Sequence, residues 1–453
     1  MANQTIANFL TLPVELVYRI LDHQSDFTLI LTTLKVGFKC IRAIGAQSLG
    51  DALQHNTALT TIDLWYNKIG HLGAQCLCNA LQRNTILTTL KVGFKCIRAI
   101  GAQSLGAALQ HNTTLTTLDL DQNKIMDIGA QSLGNALQLN TTLTTLKLDQ
   151  NKIGDIGAQS LGNGLKYNTA LTTLELGSNR IRDVGAQSLA DALQHNTTLT
   201  TLDLGGNKIT RVGAQFLGDA LQHNTTLTTL HLGYNKIGIV GAQIIGIALQ
   251  HNRTLATLEL SFNEIGDVGG QCLGSGLQHN TTLTTLNLKG NNIRRVGAQF
   301  LVDALQRNTT LTKLDVGDNA VGRNAMLVIK KLLKENENEF EYNTSSSFRF
   351  SASEIFIITN DLCNNITDCL HGEDEHDIIY KPNIPKVTKL SPSATTYDKT
   401  TTISSTIYNG KSNSHQLPDI TSRTCLPNSG SSVGFHPDML NEKCMSTTQQ
   451  HRR

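Results

Sequence analysis

The sequence predicts an α/β solenoid: eleven 28-residue strand–helix units that lay one parallel sheet on a concave side and a row of helices behind it. Three observations predict it. Leu-Thr-Thr-Leu or a near variant begins at Leu31, Leu59, Leu87, Leu115, Leu143, Leu171, Leu199, Leu227, Leu255, Leu283 and Leu311, always 28 residues apart and without an insertion. Within each copy the apolar period switches from two to about 3.6. No proline falls between Val14 and Tyr380, which suits dense regular structure, because proline lacks an N–H and clashes with the preceding turn.

Residues 1–30 precede the first unit. Pro13 fits the first turn of a helix; Leu16, Ile20 and His23 then follow one side, and Val17 and Leu21 widen the stripe. The plain expectation is a capping helix over the open end of the core.

Residues 31–335 are the repeats. In the unit from Leu199 to Thr226, Leu199, Leu202 and Leu204 point inward while Thr201 and Asp203 point outward, a short half-buried strand. Near Ala214 to Gln222 the residues Ala214, Leu217, Ala220 and Leu221 take helical spacing. Such a unit cannot bury its apolar side alone, whereas stacked units share a continuous core. Helices are wider than strands, so the stack is expected to curve with the sheet inside. Gly218 and its equivalents are expected to let neighbouring helices approach.

After each strand stands an asparagine (Asn67, Asn123, Asn151, Asn179, Asn207, Asn235, Asn263, Asn291 and Asn319). Its carboxamide offers donors and an acceptor for backbone groups the turn leaves open. Lys39 and Lys95, followed by Cys40 and Cys96, replace it in two units, where the ladder is expected to weaken or rearrange. Leu31–Gly50 is identical to Leu87–Gly106. Asn-x-Thr recurs at Asn112, Asn140, Asn196, Asn224, Asn252, Asn280 and Asn308, one position per unit, and reads as turn chemistry. His55, His111, His195, His223, His251 and His279 recur at one helix end and read as caps.

Residues 336–453 change character: they hold six of the seven prolines and clusters of Ser, Thr and Asn. The expectation is a largely disordered, low-complexity tail. Within it Cys363, Cys369, His371 and His376 sit near an acidic run, but the cysteine spacing is wider than zinc sites use, so no metal is expected. Gly410-Lys411-Ser412 ends like a phosphate loop without its earlier glycine, and no nucleotide cofactor is expected.

Composition excludes further classes. A net charge of +2 gives no footprint for nucleic acid. No run of about 18 apolar residues exists, so no membrane association is expected. Nine scattered cysteines and no secretory leader fit reduced thiols in a cytoplasmic protein. No recurring Ser, His and carboxylate set points to a triad, and no enzyme is expected.

The pattern LxxLxLxxNxI followed by GAQxLxxAL resembles the leucine-rich repeat family, in particular the 28-residue ribonuclease-inhibitor-like subtype also found in NOD-like receptors. The resemblance covers Leu31 to about Glu335. It implies a right-handed leucine-rich-repeat solenoid, a horseshoe that binds protein partners through its concave sheet. NOD-like receptors place a nucleotide-binding module before their repeats, and nothing here resembles it. One Ran-regulating family uses similar repeats to activate a GTPase, but no residue here singles that out.

The segment with Leu12, Pro13, Leu16, Ile20 and Leu21 resembles the start of an F-box, followed by an acidic-aromatic step at Asp26-Phe27. Gln24 replaces a usual apolar residue and the second half is missing, so the segment resembles a truncated F-box. That resemblance implies a Skp1-type adaptor as partner and a substrate-recognition role in a cullin ubiquitin ligase. It is the alternative to a non-catalytic interaction scaffold.

The candidate binding surface consists of outward strand positions that the core does not dictate. The second and third positions are nearly all Thr. The fifth varies, with Lys35, Asp63, Lys91, Asp119, Lys147, Glu175, Asp203, His231, Glu259, Asn287 and Asp315 in turn, and the strand ends add Trp65, Tyr66, Asp121, Asp149, Tyr234 and Phe262. Aromatics mixed with charges are the expected makeup of a protein-binding face, and its acidic excess, diluted by lysines, hints at a basic partner.

Overall fold

A computed structural model describes residues 7–8, 32–38, 41–94 and 97–344, with 7–8 and 339–344 as backbone only. Leu12, Pro13, Leu16, Ile20 and Leu21, the pairs Lys39-Cys40 and Lys95-Cys96, and the residues after Thr344 lie outside the described residues.

The units, numbered here as repeats 1 to 11 from Leu31, form one parallel sheet whose strands follow chain order. Each strand is three residues long, from Thr33–Lys35 in repeat 1 to Lys313–Asp315 in repeat 11. Register is one unit per strand, so Thr201 faces Thr173 and Thr229. The sheet holds twelve strands, because Ala7–Asn8 pairs with the first repeat through Ala7 opposite Leu34. Within residues 1–30, expected as a capping helix or a truncated F-box-like segment, Ala7–Asn8 thus adds a strand to the sheet edge. A second departure lies at the other end. The helix Arg323–Thr344 continues past the boundary placed after residue 335.

In repeat 7 the strand leucines, Ile209 and the helix residues Ala214, Leu217, Ala220 and Leu221 are no more than 1 % exposed. Helices pack closely where a side chain would not fit: a Cβ on Gly162 would meet the Ser188 carbonyl at 2.6 Å, and one on Gly218 would meet Ile244 Cγ2 at 2.7 Å.

Two asparagine seams tie each repeat to its neighbours. In the strand-end seam, Asn151 Oδ1 accepts the N–H groups of Asn123 and Ile125 at 2.9 and 3.3 Å, while its Nδ2 donates to the Leu120 carbonyl at 2.9 Å. The seam spans both units that carry lysine there: Ile41 N–H reaches Asn67 Oδ1 at 3.0 Å, and Ile97 N–H reaches Asn123 Oδ1 at 3.3 Å. The second seam lies at the Asn-x-Thr sites. Asn196 Oδ1 accepts from Thr198 and Leu199 at 3.0 and 2.7 Å, and Nδ2 donates to the Leu165 and Asn168 carbonyls at 2.9 and 3.0 Å. These side chains are buried and their amide nitrogens already bonded, as turn chemistry requires. The second-position threonines form a third line, each hydroxyl donating one repeat back, as Thr200 Oγ1 does to the Thr172 carbonyl at 3.0 Å. At three helix ends the histidine ring meets a carbonyl four residues earlier, His195 with Asp191 at 2.9 Å, His223 with Asp219 at 3.0 Å and His279 with Ser275 at 3.2 Å.

The helices begin in two ways, and the preceding repeat decides which. Where the thirteenth position of a repeat is aspartate, its Oδ1 caps the next helix. Asp183 accepts the N–H groups of Thr210 and Gly213 at 2.7 and 3.0 Å, and Asp127, Asp155 and Asp267 do the same. The capped residues Gly154, Arg182, Thr210 and Arg294 are extended. Where Ala43, His71, Ala99, Arg211, Ile239 or Arg295 stands there, the residue at the start of the next helix is left-handed: Gly70, Arg98, Met126, Gly238 and Gly266 as its first residue and Gly322 just before it, at φ from 56 to 83°. Among the described residues no helix is long and apolar enough to cross a membrane.

Candidate protein-binding surface

Strand register places the fifth positions side by side. In repeats 1 to 6 they alternate in sign: Lys35 faces Asp63, Asp63 faces Lys91, Lys91 faces Asp119, Asp119 faces Lys147 and Lys147 faces Glu175. The lysines that dilute the acidic excess in the sequence are therefore interleaved with it. Opposite charges across adjacent strands contribute roughly 0.2–1 kcal/mol per pair. Lys147 Nζ meets Glu175 Oε1 at 2.6 Å. Burial pulls the lysine pKa down, but the bond to Glu175 and the nearby carboxylates outweigh it and leave the pKa raised. Beyond repeat 6 the row runs Asp203, His231, Glu259, Asn287 and Asp315. His231 Nδ1 lies 3.4 Å from Asp203 Oδ2, and that contact raises its pKa against the effect of burial.

Several of these acids also shape the turn that follows. Asp63 Oδ1 accepts the Trp65 N–H at 3.0 Å, Asp119 that of Asp121 at 3.2 Å, and Asp203 that of Gly205 at 2.7 Å. Two positions further on, Asp121 Oδ1 accepts the Asp149 N–H at 2.8 Å and Asp149 Oδ1 accepts the Gly177 N–H at 2.7 Å. The carboxylates of Asp121, Asp149 and Glu175 offer oxygens within 4.8 Å of one another. Such oxygens suit a hard cation, although the Lys147 ammonium already occupies one of them. Burial, then repulsion from Asp119 and Asp149, pushes the Asp121 carboxyl up to about 7. Burial likewise pushes Asp149 up to about 6 against the Gly177 N–H, with Asp203 and Glu175 adding to it. No metal was expected; the grouping arises because register stacks three acids that the sequence separates.

The aromatic residues form two clusters. Trp65 and Tyr66 meet Phe38 and Phe94 from the flanking repeats: Phe38 and Tyr66 stack with ring centres 4.5 Å apart, Tyr66 and Phe94 lie at 3.9 Å, and Trp65 and Phe94 at 5.7 Å. Tyr234 and Phe262 stack at 4.5 Å. Bare glycine backbone in the next repeat makes room for the rings. A Cβ on Gly93 would strike Trp65, and one on Gly290 would strike Phe262. Phe38, Tyr66, Phe94, Tyr234 and Phe262 all occupy the eighth position, and all are left-handed, with φ between 53 and 72°. Phe38 and Phe94 were not among the surface residues expected from the sequence. The recurrence of Phe at the position of Tyr66 was the signal.

A second surface escaped the sequence reading altogether. The fourteenth position is Ile44, Leu72, Ile100, Ile128, Ile156, Val184, Val212, Val240, Val268 and Val296, each between 43 and 80 % exposed. This line of aliphatic side chains follows the starts of ten helices. In repeat 8 it broadens, because Ile239 and Ile247 are also exposed on the helix Gly238–His251.

Nine stretches match the family described as Leucine Rich repeat: residues 55–78, 111–134, 139–162, 167–190, 195–218, 223–245, 251–274, 279–302 and 307–329. No curated protein matches the sequence. Among solved structures, the chain is similar to actin-binding site 2 of leiomodin-1, with 18% identity, 48% of this chain and 92% of that one covered, and a TM-score of 0.25. It is also similar to the tropomodulin C-terminal domain of Caenorhabditis elegans, with 11% identity, coverage of 35% and 96%, and a TM-score of 0.31. An internalin of Listeria monocytogenes shares 22% identity, with coverage of 67% and 94% and a TM-score of 0.36.

Proposed function

We propose that this chain of leucine-rich repeats is a non-catalytic interaction scaffold that engages a protein partner on its concave sheet face. Solenoids of this kind use extended concave surfaces for binding. The observation that carries the reading is the set of bulky rings held at left-handed backbone positions. That conformation costs an ordinary residue roughly 1–2 kcal/mol relative to glycine, and repeats 7 and 10 do place Gly206 and Gly290 there. Gln122, Gln150, Ser178 and Asp318 share that backbone, so what sets repeats 1 to 3 and 8 to 9 apart is the clustering of rings on it. Aromatic residues are also the side chains that dominate protein interfaces. The 28-residue period favours the ribonuclease-inhibitor-like subtype, and the scattered thiols favour a cytoplasmic setting.

The test is affinity capture with the full chain beside a variant carrying Trp65→Ala, Tyr66→Gly, Tyr234→Gly and Phe262→Gly. Partners retained by the first should fall at least about tenfold on the second, the effect of losing one hot spot. Equal recovery rejects the concave face.

A second reading rests on the Leu12–Asp26 stretch: an adaptor of the Skp1 type binds Leu12, Pro13, Leu16, Ile20 and Leu21, and the repeats receive a substrate for a cullin ligase. Capture of that adaptor by the full chain but not by a version starting at Ser25 supports it, and retention by neither rejects it.

A further inference from the structure

The concave face changes along its length, and the repeats serve as one another's controls. At the eighth position repeats 1 to 3 and 8 to 9 carry rings, whereas repeats 4 to 7 carry Gln122, Gln150, Ser178 and Gly206. Between the two ring clusters the fifth and seventh positions hold Asp119, Asp121, Asp149, Glu175 and Asp203 against one cation, Lys147. Three of these carboxylates are pressed within 4.8 Å of one another. Past them the floor carries little side chain: Gly205 and Gly206 are half-buried, while Gly177 and Gly233 are buried against Asp149 and Ser261.

We propose that the occupant of this face is an extended, cationic segment of a partner protein, with Lys or Arg side chains over the carboxylate band and an apolar side chain on each ring cluster. The proposal rests on the concave-face reading and sharpens it. Three features argue for this occupant. The band has four more carboxylates than ammonium groups, and half-buried acids crowded together are stabilised by an incoming cation. The rings at each border accept apolar contact and also attract cations through their faces. A glycine floor lets another backbone approach closely, which suits a strand better than a helix about 10 Å wide.

Register sets the length. From Phe94 in repeat 3 to Tyr234 in repeat 8 there are five strand steps, about 24 Å at roughly 4.8 Å each. An extended chain covers that in about seven residues. The ligand therefore carries two apolar residues about seven positions apart, with basic residues between them.

The experiment pans a phage-displayed library of random peptides, about a dozen residues long, on the full chain. It is repeated on two variants: the ring variant described above, and a charge variant with Asp121→Asn, Asp149→Asn, Asp203→Asn and Glu175→Gln. Asparagine keeps the oxygen that accepts the turn N–H, and circular dichroism checks the fold. The expected result is enrichment of sequences with the stated spacing and charge, lost at least about tenfold on both variants. Neutral or acidic sequences that the ring variant still loses would overturn the cationic segment and leave the concave-face reading standing. Binders indifferent to the ring variant, or no enrichment, would overturn both. If the charge variant does not fold, the affinity of a selected peptide for the unaltered chain decides instead. A fall of about tenfold or more between about 50 and 500 mM salt supports the proposal, and no salt dependence overturns it.

Discussion

Asp121 shows how one side chain serves the fold and carries a liability. Its Oδ1 caps the Asp149 N–H, yet burial and its acidic neighbours lift its pKa to about 7. The folded state therefore binds a proton more readily than the unfolded chain between about pH 4 and pH 7, and stability declines as pH rises through that window. Asp121→Asn keeps the acceptor and removes the charge. Its thermal melt should show a gain of about 1 kcal/mol at pH 8, discounted for solvent screening, and the gain should close by pH 4. Tyr234 behaves differently. Replacing it with glycine relieves the left-handed backbone by about 1 kcal/mol and loses a stacked pair worth about as much. Stability should then change little while partner capture falls, a split that a merely structural ring would not give. Both residues were legible as outward-facing from the strand period; their partners were not, because contacts across one repeat join residues that no local pattern relates.

At the scale of one repeat, the two asparagine seams and the threonine line were readable because they recur at fixed positions and their chemistry is local. The choice of helix start was not, since the deciding aspartate belongs to the previous unit. Asp183→Ala removes the acceptor for two N–H groups and should destabilise the chain by about 1–2 kcal/mol in a denaturant titration. The same change at Asp191, exposed on the helix Asp183–Leu193, should be nearly silent. Met126 is the converse case, a bulky residue at a left-handed position where four other repeats use glycine, and Met126→Gly should raise stability by up to about 1 kcal/mol. The aliphatic line at the fourteenth position shows where periodicity misleads. Its spacing matches a core position, but each side chain projects from the first helical turn into solvent. In repeat 8, where the line broadens, replacing Ile239 and Ile247 by Asp, which other repeats carry at those positions, should reduce binding of a hydrophobic dye without loss of helix signal.

Across the whole molecule, the fold was legible because eleven copies repeat one message, so an error in reading one was corrected by ten others. The added strand at Ala7–Asn8 has no such copies, and nothing periodic announced it. The candidate surface was half legible: the variable positions stood out against invariant ones, but their grouping into rings, acids and rings emerges only when strands are laid side by side. Removing residues 143–170, one whole period, should leave a cooperative unfolding transition by circular dichroism. Removing half that length should abolish it, because strand would then meet helix. The seams described above join each repeat to its immediate neighbours and to nothing more distant. Pulled by its ends, the chain should consequently behave as a measured rope let out in equal lengths. Each rupture in a force-extension trace should release one 28-residue unit, about 90–100 Å of contour, until the coil is spent.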